Sequence, residues 1–219
     1  MRIVLLASGS GTLTQAVIDA FTGPDIAEAD VEIAAIGSDS QSAGVLERAR
    51  TAGIPDFVLA PRDCADRSEW NIRLRETVAA YAPDWVVSAG FMRILGPEFV
   101  AAFPDRIINT HPALLPSFPG SHGVRDALAH GVKVTGGTIH LVDSGVDTGP
   151  IITQFPVPVI DGDTEASVHE RIKKREREEV VRLLGFLAVH DLILDGRHVT
   201  GYPPAQTEQI TTRTLKEDQ

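Results

Sequence analysis

Two polar residues at the end of a short apolar strand could do chemistry together. Asn109 and His111 follow Ile107-Ile108 and precede Pro112, which ends the strand. Residues two apart in a strand point to the same side, so an amide and an imidazole would face one site. Such donors can stabilise the negative charge that develops on a carbonyl oxygen. The alternative is that both side chains only bind backbone groups of the proline-rich loop that follows.

Two aspartates occupy a later loop that could complete such a site. Asp143 and Asp147 lie between two predicted strands, residues 134–141 and 151–159. A carboxylate beside an imidazole favours the protonated ring and can also carry a proton. The residue types alone leave open which aspartate does chemistry and which caps the turn. His140, inside the preceding strand, is interpreted either as a structural histidine or as a supporting contact of the site.

The first predicted strand leads into a glycine-rich turn. The apolar run 2–7 ends at Ser8-Gly9-Ser10-Gly11, and a helix follows. Backbone N–H groups at such a helix start can receive a phosphate. Thr14 replaces the third glycine of the dinucleotide fingerprint, and the lysine of a nucleotide P-loop is missing. The turn by itself therefore indicates a tight strand-to-helix connection as much as a phosphate site.

The remaining elements alternate between apolar strands and helices. Strands are predicted at 2–7, 31–37, 57–60 and 85–89, with helices at 42–52 and 67–81. This order predicts an α/β fold, a Rossmann-like open and mostly parallel sheet with helices on both faces. Such sheets bind ligands beyond the carboxyl ends of their strands. Three candidate features fall at strand ends, Gly9–Leu13, Gly90–Leu95 and Asn109–His111, which favours an enzyme.

Composition narrows the classes of function. The 219 residues suit one domain, predicted over 1–202, with a polar and flexible tail over 203–219. The net charge of -10 argues against a nucleic-acid or anionic membrane surface. Cys64 is the single cysteine, so an intrachain disulfide is excluded, and no metal-ligand spacing is found. The absence of a signal pattern and of a long apolar run predicts a cytoplasmic protein.

Two separated motifs resemble those of a known family. Asn109-Thr-His-Pro-Ala-Leu-Leu-Pro116 and Asp147-Thr-Gly-Pro150 occur in order with a strand between them. Together they resemble the two catalytic signatures of the folate-dependent formyltransferases, over roughly nine-tenths of the chain. The resemblance is greatest to the members that formylate phosphoribosylglycinamide. It implies 10-formyltetrahydrofolate as co-substrate, no metal, and catalysis by Asn109, His111 and Asp147.

The resemblance also implies which residues bind the two substrates. The acceptor's phosphate would lie on Gly11, Thr12 and Leu13, and its ribose on Glu176, with Lys173 nearby. Leu13 stands where the family usually has asparagine, so only its backbone donor would remain. The implied folate residues are Arg67, for the anionic tail, Met92, Arg93, Ile94 and Leu95, together with Asn109, Asp143, Ser144, Gly145, Val146 and Asp147. Without the resemblance, Arg67, Lys173 and Glu176 would be interpreted as surface charges.

Other functions remain open from the sequence alone. A formyltetrahydrofolate hydrolase or a sugar-nucleotide formyltransferase would use the same site, and Leu13 keeps the second of these open. Methionyl-tRNA formyltransferases need a further C-terminal domain and a basic surface, neither of which fits this length and charge. The deformylases carry an N-terminal regulatory domain, whereas here the first strand begins at Arg2.

The alternative from another class is a non-catalytic, nucleotide-binding protein of the Rossmann type. In such a protein Asn109, His111 and Asp147 would have no joint purpose. For the leading interpretation we expect small-molecule substrates, no nucleic acid and no membrane partner, with a homodimer as one open oligomeric state.

Overall fold

The computed structural model describes residues 1–22 and 30–204. The strands are β1 (Arg2–Leu6), β2 (Glu32–Ser38), β3 (Asp56–Val58), β4 (Trp85–Ser88), β5 (Ile107–His111), β6 (Val134–Leu141), β7 (Ile151–Pro158), β8 (Ile193–Asp195) and β9 (His198–Thr200). The helices are α1 (Thr12–Thr22), α2 (Gly44–Thr51), α3 (Arg67–Ala79), α4 (Pro97–Ala102), α5 (Gly123–His130) and α6 (Glu165–Leu187), with a short 3₁₀ turn at Pro61–Asp63. The alternation of strands and helices predicted from the sequence is confirmed.

One sheet contains all nine of these strands, in the order β3-β2-β1-β4-β5-β6-β7-β9-β8. Neighbours from β3 to β5 pair in parallel, and β6 is antiparallel to both β5 and β7. The order of the parallel strands reverses between β1 and β4, so the loops after these two strands lie side by side. Both the glycine-rich turn at Gly9–Leu13, called the phosphate turn below after the ligand that the family resemblance implies, and the loop at Gly90–Leu95 are therefore at the switch point.

Strand β1 shows how the two faces of the sheet are covered. Ile3 and Leu5 belong to a core cluster that includes residues of α1, α2 and α6. Val4 and Leu6 point the other way, into a cluster with Trp70 and other residues of α3 and α4. A strand buried on both sides has a continuous apolar sequence, as this one does. The prediction of helices on both faces is confirmed.

Helix α6 begins with a capping box at Thr164. Its middle, residues 173–179, is a run of charged side chains, and the sequence of such a run predicts a solvated face. The side chain of Thr164 accepts from the Ser167 N–H, and that of Ser167 accepts in return. Glu179, within the charged run, is buried between two arginines: Arg182 lies 2.7 Å from its carboxylate and Arg175 lies 3.7 Å away. The solvated interpretation is wrong here because oppositely charged side chains one turn apart neutralise the buried carboxylate.

The hairpin of β8 and β9 is absent from the sequence-based prediction, since each strand has only three residues. The hairpin joins the sheet through one residue pair, Ile151 with His198. Positions 205–219, most of the predicted tail, lie outside the described residues, and the division at residue 202 remains a prediction. None of the described helices has the length and apolar character needed to cross a membrane.

Candidate active site

Asn109 and His140 face each other across the junction of β5 and β6. The antiparallel register pairs these two residues directly, which places both side chains on one face of the sheet. His140 Nδ1 donates to the Leu141 carbonyl at 2.8 Å. Burial lowers the pKa of His140, so its Nε2 is unprotonated and accepts from Asn109 Nδ2 at 3.1 Å. The second hydrogen of the Asn109 amide remains available to a ligand.

His111 shares that face and contacts a carboxylate. Its Nε2 lies 2.8 Å from the Phe118 carbonyl oxygen, which can only accept, so Nε2 carries a hydrogen. The other ring nitrogen, Nδ1, lies 3.3 Å from Asp147 Oδ2. The Nδ1 edge of the His111 ring therefore faces the Asp147 carboxylate.

Asp147 reaches this face because the loop after β6 turns back toward the carboxyl end of β5. Its backbone is left-handed, with φ 54°, a conformation that aspartate and asparagine tolerate better than most residues. Asp147 Oδ2 also accepts from the Gly120 N–H at 2.8 Å, and Oδ1 lies 3.7 Å from His140 Nε2. The loop closes tightly at Gly149, where a Cβ would stand 1.7 Å from the Leu141 carbonyl oxygen.

Asp143 has a different set of contacts. Its Oδ1 accepts from the Gly145 N–H at 3.0 Å and from the Thr148 hydroxyl at 2.6 Å. These bonds cap the turn, as an aspartate two residues before a backbone donor commonly does. Of the two aspartates, Asp147 is the one that contacts His111. The part of the loop that leads to Asp147 contains Asp143, Ser144 and Gly145.

The loop after β4 presents an exposed apolar segment next to these groups. Phe91 and Leu95 are buried in the core and anchor the loop at both ends. Between them, Met92 is 75% exposed and Ile94 is 63% exposed. Val146, in the Asp147 loop, is also exposed. Exposed apolar side chains beside buried polar ones suit a flat, partly polar ring system. We call Met92–Ile94 the folate segment below.

The two arginines implied in folate binding both contact this part of the chain. Arg93 donates from Nε to Asp39 Oδ2 at 2.6 Å, so its side chain is held by a protein carboxylate. Arg67 is exposed, donates to the Ile94 carbonyl and stacks over the Trp70 ring at 4.5 Å. Desolvation, and to a smaller extent the charge of Arg93, lowers the pKa of Arg67. Arg67 is therefore a surface cation beside the segment.

The phosphate turn holds Gly11 in a left-handed conformation. Its φ is 71°, and a Cβ at this position would come within 2.5 Å of the Val45 side chain. Helix α1 begins at Thr12, so the N–H groups of its first turn have no partner within the helix. The side chain of Leu13 is buried in the core. Leu13 can offer a ligand only its backbone.

Glu176 and Lys173 lie one turn apart on α6 and differ in their contacts. Glu176 accepts a hydrogen bond from Thr110, the residue between Asn109 and His111, while desolvation raises the pKa of its carboxyl. Thr110 points to the opposite face of the sheet from its neighbours, which is the face that α6 covers. The surface-charge interpretation of Glu176 is therefore wrong. Lys173 is partly exposed and pairs with Glu170 at 3.0 Å.

Within residues 1–22 and 30–204, no three histidine, cysteine or acidic side chains are grouped so that they could hold a metal ion. The polar groups that converge are one amide, two imidazoles and one carboxylate: Asn109, His111, His140 and Asp147. Such a set can donate hydrogen bonds to a developing oxyanion and move a proton.

Comparison with known proteins agrees with this chemistry. The sequence model described as formyl transferase matches residues 1–184. The chain belongs to the formyl transferase family. Within the family, it is similar to the phosphoribosylglycinamide formyltransferase of Mycobacterium tuberculosis, at 50% identity over 199 residues, which cover 91% of this chain and 90% of that protein.

Solved structures of the family share the fold. The glycinamide ribonucleotide transformylase 1 of Symbiobacterium toebii superposes with a TM-score of 0.86 at 42% identity, covering 91% of this chain and 92% of that one. A formyltetrahydrofolate deformylase from Pseudomonas syringae superposes with a TM-score of 0.83 at 25% identity. The superposition covers 92% of this chain and 66% of the deformylase chain. The predicted family and the predicted fold are both confirmed.

Sequence reasoning missed several residues that support the site. Gly120 and Phe118 offer only backbone atoms, so their residue types carry no signal for these contacts. Asp39 did carry a signal, because it lies two residues after the predicted strand 31–37, at the end of the sheet where ligands bind. Arg48 donates from Nε to the Ser10 carbonyl of the glycine-rich turn, and its residue type gave no signal because this contact depends on how α2 packs.

Proposed function

We propose that the chain transfers the formyl group of 10-formyltetrahydrofolate to the amine of phosphoribosylglycinamide, a step of purine synthesis. The convergence of Asn109, His111 and Asp147 on one face of the sheet carries this proposal. The relatives named for this activity, which align with almost the whole chain, support the choice of acceptor. The alternatives considered from the sequence are less favoured, since the similarity to the deformylase is lower.

The roles of the three residues follow from their contacts. The folate supplies the formyl carbon, and attack by the acceptor amine leaves negative charge on the formyl oxygen. Asn109 donates its free amide hydrogen to that oxygen, and His111 donates from Nδ1, whose contact with Asp147 Oδ2 at 3.3 Å is longer than an ordinary hydrogen bond. Charge-assisted bonds of this kind are stronger than neutral ones. Asp147, which contacts His111, carries a proton from the attacking amine toward the leaving nitrogen.

His140 acts as a positioning residue in this scheme. Its Nε2 accepts one hydrogen of the Asn109 amide, which fixes the amide plane before the substrate arrives. A donor that is already oriented needs no rearrangement as charge develops.

The substrate-binding residues are proposed from the same geometry. The folate ring lies against Met92, Ile94, Leu95 and Val146, with hydrogen bonds from the backbone of Arg93 and of the loop at Asp143–Asp147. Arg67, an exposed cation next to this segment, meets the anionic tail. On the other side, the N–H groups of Gly11, Thr12 and Leu13 receive the phosphate. Glu176 binds the ribose hydroxyls, with Lys173 nearby.

The test of the function is an absorbance assay that follows loss of the formyl group from the folate. We expect turnover only when phosphoribosylglycinamide is added, with one formylated acceptor formed for each folate consumed. Turnover without an acceptor would identify a hydrolase. Absence of turnover under both conditions would contradict both enzymatic proposals and favour the non-catalytic binding protein.

Helix α2 donates hydrogen bonds to two backbone carbonyls of the phosphate turn. The Val45 N–H donates to the Gly9 carbonyl at 3.1 Å. Arg48 donates from Nε to the Ser10 carbonyl at 2.7 Å, and from Nη1 to the Gln15 side chain at 2.9 Å. One guanidinium thus joins the turn to the first helix after it. The hydrogen bond from Arg48 fixes the orientation of the Ser10 carbonyl. This keeps the N–H groups of the residues after Ser10 directed at the ligand.

Replacing Arg48 by methionine should weaken binding of the phosphorylated acceptor. We expect KM for phosphoribosylglycinamide to rise about tenfold, the scale of one charged hydrogen bond. KM for the same acceptor without its phosphate should not change, because the turn contacts only the phosphate. Steady-state assays with both acceptors make the comparison. Arg50→Met is the matched control, since Arg50 lies on the same helix and pairs with Asp56; an equal rise with both acceptors would contradict the prediction.

The remaining sequence-based predictions stay open. A single catalytic domain over 1–202, a cytoplasmic location and a homodimer remain predictions, and small-molecule substrates follow from the proposed reaction.

A further inference from the structure

Asp39 is a buried carboxylate that has no part in the reaction proposed above. It follows β2, and its side chain is 5% exposed. Its Oδ2 accepts from Arg93 at 2.6 Å, whereas Oδ1 has no hydrogen-bond partner among the described residues. Burying a charged group is unfavourable unless an opposite charge compensates for it. The guanidinium of Arg93 is therefore what offsets the burial of Asp39.

The ion pair joins two loops that are not neighbours in the sheet. Strand β1 lies between β2 and β4, so a contact from the end of β2 to the loop after β4 passes over the end of β1. Arg93 is the middle residue of the folate segment. Through this contact, the position of the segment depends on a strand two places away.

The folate segment is fixed by one side-chain contact for each of its three residues. The Met92 N–H donates to Ser8 Oγ at 2.8 Å. The Ile94 carbonyl accepts from Arg67, and the Arg93 side chain pairs with Asp39. Because Met92 and Ile94 have exposed side chains, core packing does not hold the segment between its two buried ends. Of the three contacts, only the one at Arg93 joins two full charges.

Asp39 also balances the charge around the segment. Two guanidinium groups lie close together at the folate segment, that of Arg93 within it and that of Arg67 beside it. The charge of Arg93 contributes to lowering the pKa of Arg67. A guanidinium released from Asp39 would be free to leave its position and would repel Arg67 without compensation. The backbone of the segment would then lose its most directional attachment.

We propose that Asp39 is a positioning residue for folate binding. By pairing with Arg93, it holds the backbone of Met92–Ile94 in the position that faces the folate ring. This inference rests on the proposed function, because it takes the segment as part of the folate site. Asp39 itself touches no substrate. Its effect is confined to the affinity for the folate, and the reacting groups at Asn109, His111 and Asp147 keep their geometry.

The test is the variant Asp39→Asn, which keeps the size of the side chain and removes its charge. We expect KM for 10-formyltetrahydrofolate to rise about tenfold, the scale of one charge-assisted hydrogen bond, while kcat and KM for the acceptor stay at their wild-type values. Asp56→Asn is the matched control, since Asp56 forms an ion pair with Arg50 and not with the folate segment. A similar loss in kcat or in acceptor KM would overturn the proposal, because a general structural defect affects all three parameters.

A second variant separates positioning from other effects. In the Arg93→Met background, Asp39→Asn should raise the folate KM no further, because the two residues act as one unit. If Asp39→Asn alone fails to fold in a thermal melt, Arg93→Met must give the same selective rise by itself. Additive effects, or no selective rise in either variant, would overturn the proposal.

Equilibrium binding of tetrahydrofolate gives a readout that needs no acceptor. The proposal requires its dissociation constant to rise in Asp39→Asn by the same factor as KM. If tetrahydrofolate binds the wild type and binds Asp39→Asn more weakly, but the wild type does not formylate phosphoribosylglycinamide, the proposed function fails while the role of Asp39 stands. If tetrahydrofolate binds wild type and variant equally, the role of Asp39 fails alone.

Discussion

Replacing Asp147 by asparagine lowers kcat by about 1000-fold, within the range that one proton-transferring group contributes. The amide keeps the shape of the side chain and can still accept from the Gly120 N–H. Asparagine also tolerates the left-handed backbone at this position. The variant loses the carboxylate that we propose carries the proton of the attacking amine. Steady-state kinetics at saturating folate and acceptor measure this loss.

Asp105→Asn provides the control for this variant. Asp105 is exposed and has the same left-handed backbone, with φ 56°, so the substitution is chemically and conformationally equivalent. It should keep wild-type turnover. Retention of more than about a tenth of wild-type kcat by Asp147→Asn would rule out the proton-transfer role.

Replacing His111 by alanine lowers kcat by about 100- to 1000-fold, the scale of one oxyanion donor. In the proposed mechanism the imidazole supplies a hydrogen-bond donor at Nδ1. His140, the other imidazole near Asp147, cannot replace it because burial lowers its pKa and keeps the ring neutral. The variant also leaves the Phe118 carbonyl without its partner, so a thermal melt should accompany the kinetics. A variant that is folded and inactive fits the proposal.

His198→Ala is the matched control for His111, since His198 is exposed on β9. We expect it to match the wild type in both kcat and melting temperature. Near wild-type turnover in His111→Ala would remove the imidazole from the mechanism, and Asn109 would then have to be tested as the sole donor.

Features set by regular periodicity were the most accessible to prediction from the sequence. Asn109 and His111 share a face because a strand repeats every two residues, and this required no knowledge of the fold. The sheet with helices on both faces was predicted in the same way, from apolar runs alternating with helical segments. Glu176 shows the limit of periodicity, since its local sequence is a charged run and only the packing of α6 on β5 places it next to Thr110.

Irregular backbone was less accessible to prediction. Asp143 and Asp147 lie four residues apart in one loop, and no pattern of residue types encodes the left-handed turn that brings the second to His111. The choice between them came from the family resemblance. Asp39 was overlooked because a single aspartate after a strand is also a common turn residue, and its partner Arg93 is distant in the chain.

The reversal of strand direction at β6 has a consequence for how the active site assembles. The two loops at the switch point, and Asn109 with His111, all belong to the parallel half of the sheet, which precedes residue 112. The carboxylate and His140 arrive with the antiparallel half. A nascent chain released before β6 would contain the turn at Gly9–Leu13 and the loop at Gly90–Leu95 but would lack the loop with Asp147 and helix α6 with Glu176, so the complete site should form only when the second half of the sheet docks along β5.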